Sequence, residues 1–237
     1  MSSKAFETWL FGRWGGLVRA AAAFLRDAVW PEGAFCCACE RVSDGQPLCP
    51  ACRQALRSDG FLFSWDLAEP VPGLTAWGLR PHTGIHRRLV LKLKYQAEAR
   101  AAGVLADLVL PVPPNISFSP DTVVTWVTMP ESRRRERCID HSRLLAEAIA
   151  ERLSLPCRQL LRRRETRQKR QAALSRSARE ANLVGAFEPL EAVSFPVLLV
   201  DDVRTTGTTL ARCAEALRSA GAERISAVTV TWADQGK

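Results

Sequence analysis

The segment Val197-Leu-Leu-Val-Asp-Asp-Val-Arg-Thr-Thr-Gly-Thr-Thr-Leu210 restricts the fold of this 237-residue chain more than any other. Four consecutive apolar residues read as a strand buried on both faces. Two acids follow, and a Thr/Gly turn then opens a helix. Open α/β sheets hold their ligands at the carboxyl ends of such strands. The backbone N–H groups of Thr205, Thr206, Gly207, Thr208 and Thr209 can converge on an anion at the helix start, where the dipole also favours negative charge. Gly207 lets the backbone approach closely, and the threonine hydroxyls add donors. Asp201 and Asp202 would repel a phosphate directly, so they suit ribose hydroxyls or a hydrated Mg²⁺. The alternative is an ordinary strand–turn–helix with a threonine-rich turn.

The flanking sequence supports a sheet. Val123-Val-Thr-Trp-Val127 is a second buried-strand run, followed by a basic loop and a helix over residues 142–153. After the acids a helix over 208–219 closes at Gly221, and residues 225–231 make a third strand. Strands alternating with helices predict an α/β fold with an open parallel sheet over residues 121–237. Upstream, residues 84–110 carry a helical apolar pattern ended by Pro111, Pro113 and Pro114, and 61–80 reads as connecting strand and loop. Residues 58–120 are therefore expected to lead into the main domain. Residues 1–30 suit an amphipathic helical arm broken at Gly15-Gly16. That arm packs on its own protein or is partly disordered, with weak peripheral membrane contact as the alternative.

Five of the eight cysteines lie between Cys36 and Cys52. Cys36-x2-Cys39 and Cys49-x2-Cys52 form two CxxC pairs, each able to offer two sulfurs to one ion, and four thiolates complete a tetrahedral zinc site. Four sulfur ligands leave no open coordination position, so the expected role of Zn²⁺ is structural, in a small knuckle over residues 31–57. A dithiol redox pair is the alternative. No run approaches the ~20 apolar residues that span a bilayer, and no signal-peptide layout opens the chain. With clustered cysteines, this predicts a reducing, cytoplasmic setting.

The 197–210 segment closely resembles the phosphoribosyl-diphosphate (PRPP) signature of type I phosphoribosyltransferases: four apolar residues, two acids and a Thr-Thr-Gly loop. The wider resemblance is to the ComF family, which joins an N-terminal zinc knuckle to a phosphoribosyltransferase-like domain, and it extends over most of residues 34–231. Its supporting pieces are the paired CxxC, Leu91-Lys-Leu-Lys-Tyr95, the loop Met129-Pro-Glu-Ser-Arg-Arg-Arg-Glu-Arg137, Gln171-x2-Leu174, Arg179-x2-Asn182 and Gly185-Ala-Phe187. The resemblance implies that Asp201 and Asp202 contact ribose hydroxyls, that residues 205–209 hold the 5-phosphate, and that PRPP binds with Mg²⁺. It implies a place for Lys92, Lys94 and Tyr95 beside the pocket. It also implies natural competence, with single-stranded DNA and a DNA-uptake helicase or channel as partners. Where the family commonly reads Arg-Gly-Phe-Asn-Gln, this chain has Arg137-Cys-Ile-Asp-His141, and His141 is only a weak site candidate. Thr205 stands where purine-salvage relatives place a basic aspartate, so a purine-type base is absent.

Charge sharpens the choice of ligand. The chain carries a formal charge of +8, and residues 131–180, with 15 Lys+Arg against 7 Asp+Glu, hold that entire surplus. Arg133, Arg134, Arg135 and Arg137 follow the first strand of the domain, and Arg162, Arg163, Arg164, Arg167, Lys169 and Arg170 sit where type I enzymes have a mobile loop. Three readings remain. The cations stabilise a departing pyrophosphate, with Arg163 and Arg164 acting beside the two acids in transfer to an unidentified acceptor. They bind single-stranded DNA, with Trp126 or Phe187 as stacking surfaces. Or they form a solvated face.

Overall fold

The computed structural model describes residues 33–58, 63–67, 74–96, 98–110, 112–132, 134, 140–164 and 185–233. The expected arm (1–30), Arg133, Arg135, Arg137 and the stretch from Arg167 to Arg170 lie outside the described residues. The chain divides into two compact units, residues 1–52 and 53–237.

In the first unit a short turn carries each CxxC pair. Phe35 bridges Val42, Cys36 N–H donates to the Arg41 carbonyl at 2.8 Å, and Glu40 takes a left-handed conformation at φ 63° to close the turn. Cys37 N–H donates to Pro47 O at 2.9 Å, which ties the first turn to the segment leading into the second. Helix α1 (Pro50–Ser58) begins within the second pair, with proline at its first position, where no N–H is needed.

The second unit is built on a five-stranded sheet. Its strands are β1 (Phe63–Leu67), β2 (Leu74–Pro81), β3 (Val123–Trp126), and, after the two short strands β4 (Leu161–Arg163) and β5 (Phe187–Pro189), β6 (Val197–Arg204) and β7 (Ile225–Trp232). The order is β1-β2-β7-β6-β3. All neighbours are parallel except β1, which pairs antiparallel with β2 at the edge. The strand–helix alternation of the sequence is thus an open, largely parallel sheet. Segment 58–120 contributes two of its strands. β4 and β5 form a separate antiparallel pair.

Helices cover both faces. Helices α2 (Gly84–Gln96), α3 (Ala99–Val109) and α4 (His141–Leu153) pack on one, and α5 (Thr208–Ser219) packs with β4 and β5 on the other. The helical pattern over 84–110 is two helices. Glu98 N-caps the second, accepting from Arg100 N–H. In β6, Val197 and Leu199 join the cluster formed by Leu210, Cys213, Ala214 and Leu217 of α5 together with Leu161 and Phe187. By the two-residue period of a strand, Leu198 and Val200, both fully buried, face α2–α4. No helix among the described residues is long and apolar enough to cross a membrane.

Gly221 ends α5 at φ +107°, and a Cβ there would sit 2.9 Å from the Val193 carbonyl oxygen. Both the backbone conformation and the backbone contact oppose a side chain. Gly221→Ala is therefore expected to destabilise the domain by about 2–3 kcal/mol. A urea denaturation midpoint indistinguishable from that of the parent chain would contradict this.

Candidate functional site

Strand β6 does not stop at the acids. It runs through them to Arg204, with Asp201 opposite Thr229 and Arg204 opposite Trp232 on β7. The acids lie within the strand, which continues two residues beyond them. Asp201 is partly exposed and its Oδ1 accepts from Asp202 N–H at 2.9 Å. Asp202 is buried, and its Oδ2 meets Lys94 Nζ at 2.9 Å and His141 Nε2 at 3.1 Å.

These surroundings push the two carboxyls apart. Burial and the neighbouring Asp202 charge raise Asp201 well above the usual carboxylate range, only partly opposed by Lys94 and Arg163. Burial also acts against ionisation of Asp202, but the close contact with His141 and the Lys94 charge outweigh it and hold that carboxyl below its ordinary value. His82 stands behind Asp202. Its Nδ1 lies 2.9 Å from Thr231 Oγ1, which in turn donates to the Asp202 carbonyl at 3.4 Å. Burial first, then Lys94 and Arg87, lower the His82 pKa.

After β6 the chain turns through Thr205, Thr206 and Gly207 into α5. Gly207 is the N-cap at φ 83°, and no side chain caps the helix. Thr206 Oγ1 lies 2.7 Å from Thr208 Oγ1 and accepts from Thr208 N–H at 3.3 Å, which fixes the turn. Thr205 is exposed, and Thr206, Thr208 and Thr209 are half-buried. This is the geometry in which a helix start receives an anion.

A cavity of about 690 Å³ opens between the segment after β3 and the β4–β5 pair; Thr128, Met129, Asp140, Gln159, Arg134 and Arg163 are among its lining residues. Arg163 lies over the Phe187 ring at 5.3 Å. Arg162 and Arg164 both pair with Glu188, at 2.9 and 3.1 Å, and together they draw its carboxyl down to about 2. Arg134 pairs with Glu131 at 2.8 Å.

Several expected site residues sit differently from their sequence reading. Lys92 donates to Gln96 Oε1 one turn along α2, and it is Lys94 that reaches the acids. Trp126 is buried and donates through Nε1 to Asp140 Oδ2 at 3.3 Å, and Phe187 is buried in the core. Neither ring offers a face for stacking a base. Arg164 is on the surface with Glu188, whereas Arg163 acts electrostatically on Asp201. The residue that sequence reasoning undervalued is His141. The only local hint was Asp140, which N-caps α4 by accepting from Arg143 N–H and so places His141 at the helix start.

In the first unit the sulfurs of Cys36, Cys39, Cys49 and Cys52 lie within 4.8 Å of one another, with Cys39 and Cys49 at 3.6 Å. A tetrahedron with metal–sulfur bonds of about 2.3 Å has edges of about 3.8 Å, so the four sulfurs fit a zinc ion. Arg41 Nε donates to Cys39 Sγ at 3.4 Å and draws that thiol down to about 6. Burial pushes Cys52 up. A divalent cation is the group that would let four such sulfurs coexist as thiolates. Cys37 is buried and outside the cluster.

Residues 140–237 match the model of the phosphoribosyl transferase domain, and this stretch holds β6, β7 and the loop between β6 and α5. Among solved structures the chain is similar to an allosteric regulatory enzyme of purine biosynthesis (21% identity, TM-score 0.41, 59% of this chain and 30% of that one). It is also similar to the glutamine PRPP amidotransferase of B. subtilis (20%, TM-score 0.35, 63% and 28%). A third likeness is to the orotate phosphoribosyltransferase of Aeropyrum pernix (23%, TM-score 0.34, 78% and 81%). The chain spans under a third of the length of the first two. No protein of curated function matches it.

Proposed function

We propose that the second unit binds PRPP, or a related ribose 5-phosphate, with Mg²⁺, and transfers the phosphoribosyl group to an acceptor. The observation that carries this reading is the continuous run from the acids of β6 through Gly207, at φ 83°, into an α5 start without a side-chain cap. Phosphate accepts from the N–H groups of residues 205–209, and ribose hydroxyls donate to the acid end of β6. Magnesium fits the oxygen donors there, and when bound it neutralises pyrophosphate charge. As the bond from C1 to the pyrophosphate oxygen breaks, the electron pair leaves with pyrophosphate and the sugar gains oxocarbenium character before the acceptor's lone pair forms the new bond. Arg163 and Arg134, which both line the cavity beside the β4–β5 pair, stabilise the departing charge in this reading. The four-cysteine unit takes structural Zn²⁺. On the motifs of the sequence, the chain is a ComF-type, competence-associated protein. The burial of Trp126 and Phe187 removes both stacking surfaces from the single-stranded-DNA reading, so the phosphoribosyl reading is preferred.

Calorimetry with PRPP and Mg²⁺ tests the proposal. The full chain is expected to bind PRPP and ribose 5-phosphate. Gly207→Val forces a β-branched residue into a left-handed conformation, and it is expected to cost at least tenfold in affinity for both while circular dichroism stays unchanged. Absence of binding to either ligand by the parent chain would refute the reading.

A further inference from the structure

The two acids of β6 are adjacent, so a strand must send them to opposite faces. Val197 and Leu199 lie in the cluster with Cys213 and Leu217 of α5, which places Asp201 next on that face. The electrostatics agree: Asp201 and Arg163 both act on the Cys213 thiol of α5. Leu198, Val200 and Asp202 take the other face, under α2 and α4.

On that face Asp202 is held from several elements. Lys94 Nζ of α2 and His141 Nε2 of α4 converge on the same oxygen, Oδ2, at 2.9 and 3.1 Å. The three side chains are only 20% (Lys94), 8% (His141) and 7% (Asp202) exposed. On β7, Thr231 Oγ1 donates to the Asp202 carbonyl. A sugar hydroxyl reaching Oδ2 would have to compete with a lysine and a histidine already on it, on a side chain that is almost wholly buried. Asp201 remains partly exposed on the face shared with Arg163.

We infer that the acid pair is divided in function: Asp202 is an internal structural residue clamped by Lys94 and His141, and Asp201 alone presents its carboxylate to the ribose ligand. The clamp ties the end of β6 to α2 and α4, and its expected effect is on the stability of the fold. The assignment of Asp201 rests on the phosphoribosyl reading; the clamp does not.

The test uses the full chain and the variants Asp201→Asn, Asp202→Asn, Lys94→Met and the Lys94→Met/Asp202→Asn pair, measured by urea denaturation without ligand and by calorimetry with PRPP and Mg²⁺. Asp202→Asn and Lys94→Met should each lower the denaturation midpoint, and the double variant should lose less than the two losses together, because the charge left unpaired in each single variant is gone. If Asp202→Asn alone does not fold while the double variant does, that is the same coupling in a stronger form. The His141 imidazole NMR signals should move on replacing Asp202 and stay in place on replacing Asp201. Asp201→Asn should leave the midpoint at or above that of the parent chain, yet lose about tenfold to a hundredfold in PRPP affinity, as expected for a charge-assisted hydrogen bond. The folded double variant should keep most of that affinity. Additive midpoint losses overturn the clamp, as does a double variant that loses PRPP as severely as Asp201→Asn. If the parent chain takes up no PRPP, the phosphoribosyl reading and the role of Asp201 fall together, while the coupling between Lys94 and Asp202 still decides the clamp.

Discussion

Prepared in zinc-containing medium, the full chain is expected to carry one zinc ion per polypeptide, and Cys49→Ser is expected to remove it. The argument is geometric and energetic. Four sulfurs converge within 4.8 Å, a spacing that suits one metal ion. Among the described residues of that unit, little else holds the segment around them. Among the described residues 33–49 there is no helix or multi-residue strand, only the Phe35–Val42 bridge and a few turn hydrogen bonds. A segment this small buries too little apolar surface to offset its chain entropy, and structural zinc supplies about 10–16 kcal/mol in small domains of this kind. Replacing one thiolate by a hydroxyl should therefore leave residues 33–52 unfolded. Metal analysis by mass spectrometry should fall to well under one equivalent, and limited proteolysis should cut rapidly within residues 33–52 in Cys49→Ser or after chelation. Zinc-free preparations that resist proteolysis equally well would show that the cysteines serve another purpose.

Much of the fold was legible because its central elements announce themselves locally. Residues 123–126 (Val-Val-Thr-Trp) and the apolar run 197–200 read as strands covered on both faces, and α5 begins and ends at the residues its Gly and Thr punctuation marks. What escaped was non-local. Residues 61–80 read as connecting strand and loop, and the place of β2 within the main sheet escapes because its partner, β7, lies at the far end of the chain. β4 was hidden inside an arginine run: Leu161-Arg-Arg shows one buried residue and two cations, a pattern that reads as a charged face until Phe187 and Glu188 are placed opposite. The site divides in the same way. Asp201, Asp202 and the Thr/Gly turn are contiguous and could be recognised in sequence. Lys94 and His141 become partners of Asp202 only because α2 and α4 cover one face of β6, and Lys92 and Lys94 look equivalent until the helix is docked.

The pH dependence of Asp201→Asn should separate a strained, ligand-ready carboxylate from an ordinary surface one. In the unfolded chain Asp201 titrates near ~3.9. In the ligand-free fold, burial and the Asp202 charge raise it to about 7. Between those values the folded chain holds a proton that the unfolded chain has released, so this residue makes stability fall as pH rises from about 4 to about 7, and adds no further change above that. Asn cannot titrate. The variant and the parent should therefore be nearly equal in stability near pH 4, and the variant should be the more stable of the two by pH 8. The difference is on the order of 1–3 kcal/mol, since Asp201 keeps partial exposure and so feels less than a full burial penalty. Asp202 does not blur the comparison. Its carboxyl is held low by His141 and Lys94, so its favourable contribution is present throughout this range and is lost only in stronger acid. Saturating PRPP with Mg²⁺ should reverse the order at pH 8, because ligand bound only by the folded parent stabilises it by mass action. Stability curves for the two proteins that run parallel from pH 4 to pH 8 would mean that Asp201 carries no such strain, and that the acid end of β6 is not held in readiness for a ligand.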